Sequence, residues 1–348
     1  MNTVHEIRTK IDLLADVITD RHFQLHPELE ARYGPIGRIR CREDAAFHLQ
    51  YLAAALEAGN ARMFVDYVAW AKVMLASRNV PPADLADNLE ILASALSGRL
   101  AVDTSRTAVE YVRAAIDELP SMPEELPSFL DPERPLYDVA RRYLQLLLNG
   151  NRLATLQLII KTVDDGTTPR EVYRHVFEPV QREIGRLWQL NRISVAQEHF
   201  CTAATQQVMT HLYGRIFGNE KHDRHLVSMC VGGEMHEVGL RIVSDLLELE
   251  GWNTYYLGAN VPPAAAVQMC VDRKADVLLV SATLTPHLAA VADLIRLFRA
   301  NPELANAKVV VGGRAFSAVP GLWQSVGADG YAATADECIE LVNSIAAA

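Results

Sequence analysis

Over residues 1–119 apolar positions recur at three- and four-residue spacing, broken only by short polar stops. "DAAFHLQYLAAALEAG" and "ARMFVDYVAWAKVMLASR" keep this rhythm, and the Gly59-Asn60 pair between them reads as a helix stop. "VPPADLADNLEILASAL" opens on prolines suited to a first helical turn. The pattern predicts a helical domain over residues 1–119. Next, "PSMPEELPSFLDPERP", residues 120–135, carries five prolines in sixteen positions. That density cannot continue a helix and predicts a stiff linker.

Helical spacing returns over residues 136–220. "LYDVARRYLQLLLNG", "NRLATLQLIIKTVDDG", "TPREVYRHVFEPVQREIGRLWQLN" and "SVAQEHFCTAATQQVMTHLYGRIF" are amphipathic and separated by short breaks, as a four-helix bundle requires. Across residues 222–348 the rhythm changes. "HLVSMCVG", "WNTYYLG", "ADVLLVSAT", "AKVVVGG" and "DGYAAT" are short apolar runs alternating with helical stretches. These are five βα units, hence a parallel sheet covered on both faces. The expected class is α plus α/β: a helical domain, a four-helix bundle and a flavodoxin-like five-stranded parallel sheet.

Composition narrows the function. The 348 residues carry a net charge of −10 and no long Lys/Arg run, which disfavours direct nucleic-acid binding. Acids interrupt every apolar stretch of "MNTVHEIRTKIDLLADVITD", so no signal peptide is expected there. No run of about 18 apolar residues suggests a membrane span. The five cysteines (Cys41, Cys201, Cys230, Cys270, Cys338) form no CxxC pairs. A reduced, cytoplasmic protein without structural zinc is expected.

In "VGGEMHEVGL" His236 stands between two acids, where a strand gives way to a helix. Alone, Glu234 and His236 read equally as helix-start residues or as a ligand with its orienting acid. Ser281 and Thr283 in "SATLT" and Gly312-Gly313 in "VVVGGRAF" then follow at the ends of the third and fourth strand runs. Ends of parallel strands converge on one crevice, so the three elements are expected together.

"EMHEVG", "SAT" and "GG" resemble the signature of cobalamin-binding domains: Asp-x-His-x-x-Gly, Ser-x-Leu and Gly-Gly. Glu234 stands in place of the aspartate, keeping the acid with a longer reach, and Thr283 in place of the leucine. The resemblance implies base-off/His-on binding, with His236 beneath cobalt and the Glu234 carboxylate bonded to its ring, orienting it and raising its basicity. It further implies a slot for the displaced nucleotide tail. Gly239, Gly312 and Gly313 would permit close backbone approach, Ser281 would bond the tail, and Thr283 or Thr285 would line it.

"GRLWQLNRISVAQEHFCTAAT" is similar to the Trp-x9-Glu-His pattern of light-responsive cobalamin-binding regulators. In that family the bundle covers an adenosyl group on cobalt. The resemblance assigns Trp188 as a flat wall for the upper ligand and Glu198 and His199 as its polar contacts. Where several relatives place a second histidine ligand after the Trp, this chain has Gln189, and an amide is a poor cobalt ligand. His175 and His199 are the remaining substitutes.

The overall layout resembles the photocobilins, which combine cobalamin with a bilin chromophore such as biliverdin. On that reading Arg38, Arg40 and Arg42 would pair with bilin propionates, and His26, His48, Tyr67 and Trp70 would contact the tetrapyrrole. Equally, the arginines read as a solvated edge and the aromatic residues as helical core. Cys41 is the one thiol of this region. The function implied is a non-catalytic light sensor holding adenosylcobalamin, acting through self-association or an effector protein. The rivals are a corrinoid methyl carrier of a methyltransferase system and a light-independent cobalamin sensor.

Overall fold

A computed structural model of the chain describes residues 3–216 and 220–347. It divides into two compact units, Met1–Glu125 with Ala318–Leu322, and Leu126–Ser317 with Trp323–Ala348.

The first unit contains α1 (Thr3–Thr9), α2 (Ile11–Leu25), α3 (Glu28–Glu57), α4 (Ala61–Ala76), α5 (Pro82–Arg99) and α6 (Val102–Glu118). Asn60 caps α4 with its side chain, and Pro82 begins α5. Gly34, at φ +62°, kinks α3 ahead of Pro35, a conformation an L side chain adopts only with strain. Leu14, Ile18, Leu49, Leu52, Phe64 and Leu92 fill the core. Lys72 is buried there and donates to the Leu119 and Met122 carbonyls at 3.1 and 2.8 Å.

In the second unit, α7 (Tyr137–Leu148), α8 (Arg152–Asp164), the helix over 169–189 and α11 (Val195–His211) make the bundle. The third helix consists of α9 (Pro169–Val172), a π turn (Tyr173–Phe177) and α10 (Glu178–Gln189). Pro179 explains the π turn. Its ring would meet the carbonyl four residues back, and the wider turn relieves this while Glu178 N–H bonds the Tyr173 carbonyl.

The Pro-rich segment is more than a spacer. Ser128 Oγ and Phe129 N–H donate to Glu183 on α10 at 3.1 and 3.0 Å, and Arg186 donates to the Leu126 carbonyl at 3.0 Å. Glu183 and Arg186 form a buried ion pair at 2.6 Å. The second half of the segment is thereby fastened to the bundle.

After α12 (Tyr213–Ile216) come β1 (His225–Cys230), α13 (Val238–Leu249), β2 (Asn253–Tyr256), α14 (Pro263–Asp272) and β3 (Val277–Ser281). The chain continues through α15 (Leu288–Arg299), β4 (Lys308–Gly312), α16 (Leu322–Ser325), β5 (Gly330–Ala332) and α17 (Ala335–Ala347). The strands lie parallel in the order β2-β1-β3-β4-β5, the flavodoxin-like order. Cys230 pairs with Ser281 and Ser281 with Gly312, so three neighbouring strands end level. The order reverses between β1 and β3, which opens a crevice above those ends.

Bundle and sheet meet through polar contacts along α13. The Tyr173 hydroxyl donates to Asp245 at 2.7 Å, and Arg241 donates to Thr210 and Tyr213, each at 3.0 Å. Burial pushes the Asp245 carboxyl up to about 6, against the opposing pull of Tyr173 and Arg241. A carboxyl raised in the fold costs stability as pH climbs from its unfolded value through its folded one. Asp245→Asn keeps an acceptor oxygen and removes that cost. The variant is expected to exceed the native chain by about 2 kcal/mol at pH 8 and to converge with it near pH 4. Thermal melts at both pH values check this; a gap independent of pH contradicts it.

Candidate functional site

The loop from β1 to α13 places Glu234 and His236 over the level strand ends. Glu234 is fully buried yet satisfied. Its Oε1 accepts from His236 N–H at 3.0 Å and contacts His236 Nδ1 at 2.5 Å. Its Oε2 accepts from Thr283 N–H at 2.6 Å and Leu284 N–H at 3.3 Å, and contacts His287 Nδ1 at 3.0 Å. Burial opposes the charge, but the donors from His236, His287 and Thr283 prevail and hold the carboxyl well below the usual carboxylate range. The hydrogen bond to Glu234 raises His236, against its burial.

With Nδ1 committed to the carboxylate, the His236 ring offers Nε2 as its ligating atom. The ring borders a cavity of about 810 Å³, large for a small-molecule site. Trp188, Glu198 and His199 on α10 and α11 stand on the bundle wall of this cavity. Gly239, Ser281, Thr283, Gly312 and Gly313 stand on its sheet wall with His236. Leu279 and Val310 on the strands and Ile242 and Cys338 on the helices give the same cavity apolar lining.

The glycines serve different ends. A Cβ on Gly239 would meet nothing within 4 Å, so glycine there keeps space open. At Gly313, φ is +95° and a Cβ would lie 2.4 Å from the Ala282 carbonyl oxygen. That glycine is required by the turn itself, whatever the cavity holds. Thr285, expected on the slot wall, lies off it. It begins a 3₁₀ turn, and its hydroxyl is buried without a hydrogen-bond partner.

The residues considered for a bilin in the first unit are placed otherwise than their spacing suggested. Arg38, Arg40 and Arg42 sit in α3, where alternate positions point to opposite sides. Arg38 pairs with Asp20, Arg42 with Asp12 and Asp16 at 2.9 and 2.5 Å, and Arg40 with Glu43 at 2.6 Å. Arg38 and Arg42, four positions apart, share the α3 side that pairs with α2 acids, and Arg40 alone stands on the other side. His48 is buried against the Tyr67 hydroxyl at 2.8 Å, and burial pushes it down to about 4. Trp70 stacks on Tyr67 at 6.4 Å, while His26 lies by Glu28 and Asp87 at 3.3 and 3.4 Å.

Two residues of the site carry no motif in the sequence. His287 shares Glu234 with His236; its only signal was a titratable residue six places after Ser281. Glu237, which lines the cavity, accepts from Gln206 on α11 at 2.8 Å and from Tyr256 on β2 at 2.9 Å. Neither link has a local sequence signal.

Residues 224–340 match the B12 binding domain, and residues 139–213 match a second family model also described as B12 binding domain. Dimethylamine corrinoid protein 3 of Methanosarcina acetivorans is 31% identical over 122 residues, covering 35% of this chain and 56% of that protein. Its namesake from Methanosarcina mazei is 30% identical over 114 residues, covering 33% of this chain and 67% of its own length. The chain belongs to the cobalamin-binding family.

A further cobalamin-family relative, the HTH-type transcriptional repressor CarA of Myxococcus xanthus, is 30% identical over 126 residues, covering 35% of this chain and 42% of the repressor. The chain spans about half the length of most curated relatives it matches. The solved monomethylamine corrinoid protein of Methanosarcina barkeri has the same fold, with a TM-score of 0.54 at 19% identity over 61% of this chain and 100% of that one. No helix among the described residues is long and apolar enough to cross a membrane.

The residues present fit the cofactor. A corrin ring supplies four nitrogens to cobalt and accepts a further nitrogen ligand, which the His236 ring, held by its buried carboxylate, would offer. Among the described residues no cluster of three or more His, Cys, Asp or Glu side chains competes as a metal site.

Proposed function

We propose that the chain is a non-catalytic light sensor that holds adenosylcobalamin. His236 would lie beneath cobalt, Trp188, Glu198 and His199 over the upper ligand, and Ser281, Gly312 and Gly313 along the tail slot. The observation that carries this reading is the placement of Trp188, Glu198 and His199 on the bundle wall of the cavity that His236 borders. When bound, adenosylcobalamin supplies a cobalt–carbon bond that light cleaves.

The protein's part is to hold and to respond. Glu234 fixes the His236 ring and its tautomer. Trp188 offers the upper ligand a flat apolar face, and Glu198, braced by Thr202 Oγ1 at 3.0 Å, offers a carboxylate. Gln189 is buried and off the cavity wall, so that position brings no second ligand to cobalt. Gln206–Glu237 joins the bundle directly to the His236 loop. Loss of the upper ligand would uncover the bundle wall and bias this polar interface by a few kcal/mol. A second copy of the chain or an effector protein in the cytoplasm would read the change.

A methyl carrier is the second reading, favoured by relatives named dimethylamine corrinoid proteins. Trp188→Ala separates the two. A sensor shaped for the adenosyl group is expected to lose about tenfold in preference for adenosylcobalamin over methylcobalamin, because the bulky ligand alone uses the wall. Equal relative affinities by titration contradict the capping role. Green light on the adenosylcobalamin form is expected to change the small-angle scattering profile. Unchanged scattering after photolysis is confirmed by absorbance supports the carrier. A red absorption band beside the cobalamin bands, in protein as purified, would add a bilin.

A further inference from the structure

On the first unit, α3 carries an apolar face where solvent is expected. Its core side is ordinary: Ala45, Leu49 and Leu52 are fully buried. On the opposite side Ile36, Ile39 and Phe47 are 69%, 59% and 52% exposed. With Arg40 and Glu43 they occupy about 100° of the helix circumference over about 17 Å. Large apolar side chains grouped on a solvent face mark an interaction surface, whereas single ones do not.

The order of residues on this face identifies its partner. Ile36 and Phe47 are placed symmetrically about the point midway between Cys41 and Arg42, and so are Arg40 and Glu43. A two-fold axis through that point lays a second α3 antiparallel to the first. Each Ile36 then meets the other copy's Phe47, and each Arg40 meets the other copy's Glu43. The face is thus complementary to itself in both charge and apolar content, which an isologous interface requires. Arg40 and Glu43 pair within one helix at 2.6 Å, with side chains 72% and 46% exposed, so both are within reach of an opposing helix.

We infer that the chain dimerises through the Ile36–Phe47 face of α3, antiparallel to the same face of a second copy. This goes beyond the sensor reading and does not depend on cobalamin or light. One helix face is small beside a standard interface, so a weak dimer that forms in roughly the micromolar range is expected.

Sedimentation equilibrium of the full chain tests this, with and without cobalamin, dark and lit. A dimer is expected throughout. Phe47→Glu is expected to raise its Kd at least about 30-fold, because it sets a carboxylate against the other copy's Ile36 at both ends of the face. Arg40→Glu sets carboxylate against carboxylate at both of the contacts that Glu43 makes across the two-fold axis. It is expected to weaken association about tenfold, and adding Glu43→Arg is expected to restore it. Circular dichroism checks that these solvent-facing variants fold. Three outcomes overturn the inference: a native chain monomeric through about 100 µM, a dimer indifferent to Phe47→Glu, or a double charge variant no stronger than Arg40→Glu alone. The last two mean that another surface, or another protein, covers this face.

Discussion

His236→Ala is expected to abolish nitrogen ligation of cobalt by the protein and to weaken cobalamin binding by at least about 100-fold. The ring has one nitrogen bound to Glu234 and the other available to cobalt, and it borders the cavity at the level strand ends. Alanine removes the ligand while leaving the strands beneath untouched, so the apo fold is expected to melt within about 1 kcal/mol of the native chain. Electron paramagnetic resonance of the Co(II) form, with histidines labelled by nitrogen-15, reads the outcome directly. A label-sensitive coupling that persists in the variant would show that another histidine holds cobalt.

Glu234→Ala is expected to be more damaging to the fold. Five donors from His236, Thr283, Leu284 and His287 converge on one carboxylate with no exposure. Alanine leaves them facing a void, and loss of a buried charged acceptor costs about 3–5 kcal/mol. For a unit of this size that is a fall of roughly 10 °C in melting temperature. Cobalamin affinity is expected to fall about 10–100-fold, the usual consequence of removing a carboxylate that orients a ligating histidine. Glu234→Gln separates the effects: it keeps the packing, loses the charge, and is expected to recover part of the stability but little of the affinity. A Glu234→Ala chain that melts like the native one would mean that water replaces the carboxylate at no cost. The hydrogen-bond network would then not be what orders the loop.

Much of the architecture is a matter of local periodicity. Apolar spacing of three and four residues, with Gly59-Asn60 and Pro82 as punctuation, marks helices because each pattern buries one helical face. The short runs ending at Cys230, Ser281 and Gly312 mark strands, and parallel strands with helical crossovers leave their carboxyl ends on one side. That rule is enough to bring Glu234, His236, Ser281 and Gly312 together. For the same local reason Arg40 stands away from Arg38 and Arg42, although the three alternate along the sequence: α3 is a helix, and only positions four apart share a face.

What local pattern cannot encode is pairing between distant residues. His287 reaches Glu234 across 53 positions because β1 and β3 are neighbours in the order β2-β1-β3-β4-β5. Gln206 on α11 reaches Glu237 beside the β1–α13 loop, and the Pro-rich segment meets Glu183, which is buried on α10. At Gly313, which lines the cavity, the nearby Ala282 carbonyl adds a demand for glycine that no local pattern shows. Sequence alone thus determined the elements, their order and the histidine set at the switch point, since each follows from the chain's own periodicity and spacing. Tertiary structure alone decided which buried groups share the Glu234 carboxylate, and which walls close the cavity. Those depend on side chains meeting across the fold, where packing and the need to satisfy every buried polar atom choose the partners.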